Sequence, residues 1–171
     1  MNKALIYIII SVLLFLSCEQ DKKTVSEEQR NQLKNQLISY IDTCWNQKKT
    51  NRLNPIIAKN FERRLNGISV ASNTNELKAH MQVFFMGFPD LVINTRELNI
   101  KDNMIFLQWE SIGRNTGVYG EMPPTGKKVK INGLTHLYFN EKGEIFKEEV
   151  FFNELELLQQ LGYTLNSPVL E

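Results

Sequence analysis

Lys128–Phe152 reads KVKINGLTHLYFNEKGEIFKEEVFF. On both sides of Asn140-Glu141-Lys142-Gly143 apolar residues recur every second position, the period of a strand with one buried face. The break itself is made of turn-forming residues. These features predict two antiparallel strands, Lys128–Phe139 and Glu144–Phe152, joined by a tight turn. Toward the N-terminus the same period recurs in Leu91–Ile100 and Met104–Gly113, connected at Asp102-Asn103. In the other direction Glu154–Leu161 has helical spacing and stops at Gly162, where a left-handed C′ residue suits a helix end.

Before Leu91 the period is helical. Ser26 with Gln29 opens a helix to Gln47 in capping-box fashion, and Leu33, Leu37, Tyr40, Ile41, Cys44 and Trp45 fall on one face of it. That face should pack on the sheet and bury Cys44. A short helical piece is expected over Leu53–Lys59, opened by Asn54-Pro55. A loop through Asn66, Gly67 and Ser72 to Asn75 should follow, and then a helix from Thr74 that Gly87 and Pro89 end. Leu77, Met81, Phe84 and Phe85 share its apolar face, which leaves His80 to a surface or packing role. Helices followed by a meander predict an α+β domain, a curved antiparallel sheet packed on N-terminal helices.

The chain begins MNKALIYIIISVLLFLSC. Lys3, the apolar run Ala4–Leu16 and Ser17 before Cys18 read as a lipoprotein signal. The run falls within the about 7–15 residues of an export signal and short of the roughly 20 that span a bilayer as a helix. The expected layout is residues 1–17 as signal peptide, 18–28 as a polar tether from lipidated Cys18, 29–163 as the domain and 164–171 as a tail. The folded part should then stand outside the cytoplasm, in the bacterial cell envelope. Cys18 and Cys44 are the two cysteines of the 171 residues, so lipidation at Cys18 would leave Cys44 without a disulfide partner. A net charge of +1 supplies no basic footprint for nucleic acid. Two histidines, His80 and His136, and one buried cysteine supply no metal cluster. No glycine loop cradles phosphate, so no cofactor is expected.

From His80 onward further pieces accumulate: Phe88-Pro89-Asp90-Leu91, Gln108-Trp109, Asn115-Thr116-Gly117-Val118-Tyr119-Gly120, Pro123-Pro124-Thr125-Gly126-Lys127, Gly133, Gly143-Glu144-Ile145 and Leu157-Leu158-Gln159-Gln160-Leu161-Gly162. In this order they resemble the SnoaL-like polyketide cyclases, or ester cyclases, of the nuclear transport factor 2-like superfamily. The resemblance implies a conical fold with an apolar pocket for a small carbonyl or polyketide-like ligand, and domains that often dimerise through the sheet. It also implies a general acid/base Asp, placed four residues after a Trp at the end of the last strand. Here Glu149 stands at the Trp and Asn153 at the Asp. A carboxamide has no useful basicity near neutral pH, so Asn153 can orient a ligand but cannot take a proton from carbon.

Two side chains are candidates for that base. Glu149 shares a strand face with Phe151 and Asn153, although four residues at about 3.3 Å put it roughly 13 Å from the family position. In an aromatic pocket its pKa would rise by desolvation. His136 titrates near neutrality and lies on the face of Asn132, Leu134 and Tyr138, which points either into the pocket or away from it. Asn153, Trp109, Gln108, Phe151 and Tyr119 are the candidate ligand contacts. Gln108 and Trp109 face opposite sides, and the sequence leaves open which side lines the pocket. Pro123–Gly126 is either a rim loop or a rigid turn, and Asp90 reads as a turn residue. Three functions compete: a cyclase, isomerase or dehydratase using Glu149 or His136; a lipid-anchored binding protein that lacks the base; and a non-catalytic envelope module that pairs through its sheet.

Overall fold

The computed structural model describes residues 26–167. The expected signal, Cys18 and most of the tether lie outside them. The first helix, α1 (Glu27–Ile38), is capped by Ser26, whose Oγ accepts from the Gln29 amide at 3.2 Å. It runs on into a wider-wound π segment, Ser39–Asn46, which buries the Tyr40, Ile41, Cys44 and Trp45 set read from the sequence. π segments are rare in helices and frequently fall at functional sites.

The expected helical piece at Leu53–Lys59 is not there. A single 3-10 turn at Thr50–Arg52 leads into strand β1 (Ile57–Leu65), and the expected loop after it contains β2 (Ile68–Ala71). In β1 Ile57, Ala58, Phe61 and Arg63 are buried, so two neighbours are buried at its start and an arginine occupies an inward position, which hides the period of two. Next comes α2 (Thr74–Gly87), where Asn73 Oδ1 accepts from the amides of Asn75 and Glu76, both at 3.0 Å. The meander follows as β3 (Val92–Lys101), β4 (Met104–Arg114), β5 (Lys128–Phe139) and β6 (Ile145–Phe152), close to its expected limits. Last is α3 (Glu154–Leu161), ended by Gly162 at φ 102°.

These strands form one sheet in the order β2-β1-β6-β5-β4-β3. The sheet is mixed rather than wholly antiparallel: β1 runs parallel to β6, with Arg63 opposite Glu148. A parallel pair needs a long crossover, and here α2 and the meander supply it. Leu33, Leu37, Leu77, Met81, Phe85, Leu157 and Leu161 from the helices bury against Ile105, Leu107, Leu137, Phe139 and Ile145 of the inner sheet face. The α+β class is therefore as read. Among the described residues no helix is long and apolar enough to cross a membrane.

Candidate functional site

Alternation along β4, β5 and β6 decides what the inner face presents. Trp109 and Ser111 come from β4, Val129, Ile131 and Thr135 from β5, and Glu148, Val150 and Phe152 from β6. With Ile41 and Trp45 of the π segment, Arg63 of β1, Phe84 and Phe88 at the end of α2, and Leu157 of α3, they enclose an apolar cavity. About 80 Å³ of it is open to the centres of water-sized molecules, several times the roughly 10–15 Å³ one water needs by that measure. Trp109 spans one wall because Gly133 opposite it on β5 has no side chain. A Cβ there would lie 2.2 Å from Trp109 Cζ2. The indole Nε1 donates to Thr135 Oγ1 at 2.9 Å, which fixes the ring.

One polar cluster breaks the apolar lining. Glu148 Oε2 accepts from the Tyr40 hydroxyl at 2.7 Å and from Arg63 Nη1 at 2.5 Å, and Arg63 Nη1 also reaches Tyr40 Oη at 3.3 Å. All three side chains are buried, and the guanidinium lies 5.0 Å over the Trp45 ring. Burial and then the neighbouring Glu148 charge push the Tyr40 phenol well above its ordinary range, so it remains a neutral donor. His80 lies just outside, edge-on to Phe84 at 5.3 Å with Nε2 buried and unpartnered. Burial, reinforced by the Arg63 charge, lowers its pKa from 6.5 to about 4.

The sequence-derived candidates divide by face. Trp109 lines the cavity, while Gln108, Phe151, His136 and Glu149 stand on the opposite, outer face. Glu149 pairs across β5 with His136, one register position from Glu148, and a one-residue difference in a strand reverses the face. Its carboxyl is held below the ordinary range by Lys147 Nζ at 2.9 Å and the Tyr138 hydroxyl at 2.8 Å, the reverse of the rise a cavity position would bring. His136 lies between Phe106, stacked on it at 3.9 Å, and Tyr138, tilted against it at 4.0 Å, and burial there lowers its pKa. Gln108 and Phe151 share a shallow outer groove with Leu134. Asn153 caps α3, its Oδ1 accepting from the Glu156 amide at 3.1 Å. Tyr119 is buried behind the cavity wall, 5.4 Å from Phe84 and 5.3 Å from Phe88.

Sequence reading passed over Arg63 and Glu148. Two consecutive carboxylates in a strand must point to opposite faces, so the pair Glu148-Glu149 already required one inward acid. Phe61, Arg63 and Leu65 share a parity in the same way. Pro123–Gly126 contributes nothing to the lining. Buried Asn115 holds the turn by accepting from the Thr125 amide at 2.7 Å and Oγ1 at 3.0 Å. Asp90 is a turn residue that accepts from the Arg114 amide at 2.6 Å. Among the described residues no group of His, Cys, Asp and Glu is arranged to hold a metal ion.

Solved structures repeat this architecture. A protein of Jannaschia sp. CCS1 assigned as a SnoaL-like polyketide cyclase superposes with a TM-score of 0.73 at 17% identity, covering 85% of this chain and 99% of its own. AclR of Streptomyces galilaeus, assigned as a hydroxylase, gives 0.69 at 18% identity over 81% of this chain and 85% of its own. IdmH of Streptomyces antibioticus, assigned as a polyketide cyclase, gives 0.67 at 16% identity over 77% and 99%. At such identities the likeness is one of fold, the nuclear transport factor 2-like cone. No curated relative matches the sequence significantly. The SnoaL-like polyketide cyclase profile matches residues 35–161, which include every strand and helix that walls the cavity, and the chain belongs to that family.

Proposed function

We propose that this protein is an exported, lipid-anchored SnoaL-like domain that binds a small apolar carbonyl or polyketide-like molecule in its inner cavity, without proton transfer at Asn153. The observation that carries the reading is the cavity itself: aromatic and aliphatic walls with a few convergent polar groups, the usual make-up of a small-molecule site. Asn153 serves as a helix cap at the position where the family resemblance expects an acid/base Asp. The anchor rests on Lys3, the run Ala4–Leu16 and Ser17-Cys18. To test the binding, the purified chain is titrated with 2-indanone, a small bicyclic ketone, and with Ile131→Trp, which fills the cavity. Saturable binding lost in the variant is expected; equal or absent binding in both contradicts the reading. For the anchor, Cys18→Ser should release the chain from the membrane fraction.

A second reading has its own observation. Phe106, Leu134 and Phe151 lie on the outer sheet face at 44%, 53% and 48% exposure. Contiguous exposed apolar groups of this kind favour association, which supports an interaction or dimerisation module built on that face.

A further inference from the structure

The Tyr40–Glu148–Arg63 cluster leaves capacity unused on both of its charged members. Both hydrogen bonds to Glu148 fall on Oε2, and Oε1 has no partner among the described residues. Arg63 spends only Nη1, and its buried Nε is without a partner among the same residues. Unpaired buried polar atoms are costly, and an ion pair buried in place of apolar side chains rarely adds stability. Packing alone therefore does not account for three polar side chains converging on an otherwise apolar wall.

We propose that Glu148 and Arg63 form a carbonyl-enolising pair, in which Glu148 Oε1 takes a proton from the carbon beside a bound ketone while the unspent Nη2 of Arg63 donates to the carbonyl oxygen. The proposal rests on the cavity being a site for small carbonyl compounds and adds the chemistry done there. The C–H bond breaks and its electron pair becomes the C=C bond of an enolate. The carbonyl π pair moves onto oxygen, beside the guanidinium. Glu148 becomes the neutral acid and returns a proton to carbon in the reverse step, so nothing is oxidised and no co-reactant is consumed. Tyr40 is a positioning residue: by occupying Oε2 together with Arg63 it leaves Oε1 as the basic oxygen. A fixed base next to a fixed donor at the developing charge is what proton abstraction beside a carbonyl requires. This places the base on the inner partner of the Glu148-Glu149 pair and supplies what Asn153 cannot.

The test is deuterium uptake by the methylene carbons of 2-indanone in heavy water, followed by proton NMR, with the cavity methyl signals recorded in the same sample. The native chain should exchange the ketone about a hundredfold faster than buffer, and Glu148→Gln should return the rate to that of buffer. Because Glu148→Gln leaves Arg63 without its counter-charge, a second variant, Tyr40→Phe with Arg63→Met and Glu148→Leu, removes the buried charges together. It should bind the ketone and not exchange it. Glu97→Gln, an exposed carboxylate on β3, should exchange at the native rate. Cavity methyl shifts with exchange no faster than buffer overturn the enolising pair and leave the binding reading standing. Exchange that persists in the triple variant also overturns the pair. No methyl shift at all overturns the binding reading, and the pair with it.

Discussion

Arg63–Glu148 is the ion pair of the described residues with both side chains out of water, at 6% and 4% exposure; Arg64–Glu62 stands at 43% and 41%, and Lys147–Glu149 at 30% and 21%. Breaking one side of such a pair leaves a buried charge uncompensated, whereas apolar replacement of the whole cluster costs little. Arg63→Met should therefore destabilise by about 3–5 kcal/mol, and the triple apolar variant of Tyr40, Arg63 and Glu148 should recover most of that in urea unfolding. His80 gives a pH signature. The unfolded chain protonates it near 6.5 and the folded chain near 4, so the unfolded state binds more protons between those values and stability falls as pH drops through the window. The loss between pH 7 and pH 5 should be about 2 kcal/mol, and it should shrink in His80→Gln. At this scale the candidate site was only partly legible. Residue types announced that acids and aromatics were present, but the choice between Glu148 and Glu149 is one of parity, and parity needs one strand face tied to the helices. Trp109 opposite Gly133 provides that tie, which appears only once β4 and β5 are paired.

Elements were legible wherever their period was clean. The meander, α2 and α3 follow from alternation, caps and Gly162, whereas β1 and β2 were read as helix and loop. In β1 the exposed Lys59 and Asn60 and the inward Arg63 break the alternation, because the cluster needed a cation where a strand pattern would place an apolar residue. The parallel β1–β6 pairing is likewise a tertiary fact, since no short turn marks it. Within β5, Gly133 is required by the neighbouring element rather than by its own backbone. Gly133→Ala should displace the Trp109 indole, cost about 1–3 kcal/mol through overpacking, and change tryptophan fluorescence together with 2-indanone binding. A variant that keeps native stability and fluorescence would show that the indole moves freely and that Gly133 does not shape the cavity wall.

For the whole molecule, the sheet divides two surfaces with different uses. Its inner face closes with three helices over the cavity. The outer face carries Phe106, Leu134 and Phe151 beside His136 and Tyr138. If copies pair through that face, Leu134→Lys with Phe151→Asp should lower the sedimenting mass of a dimer to that of a monomer and leave 2-indanone binding intact. A dimer that survives those charges places the interface elsewhere. The central claim concerns the inner face, and methyl NMR of the full chain during titration with 2-indanone tests it most directly. The account predicts that Ile41, Ile93, Val129, Ile131, Val150 and Leu157, which line the cavity, shift together and saturate while outer-face Leu134 stays fixed. Shifts confined to Leu134, or none at any of these methyls, would contradict it.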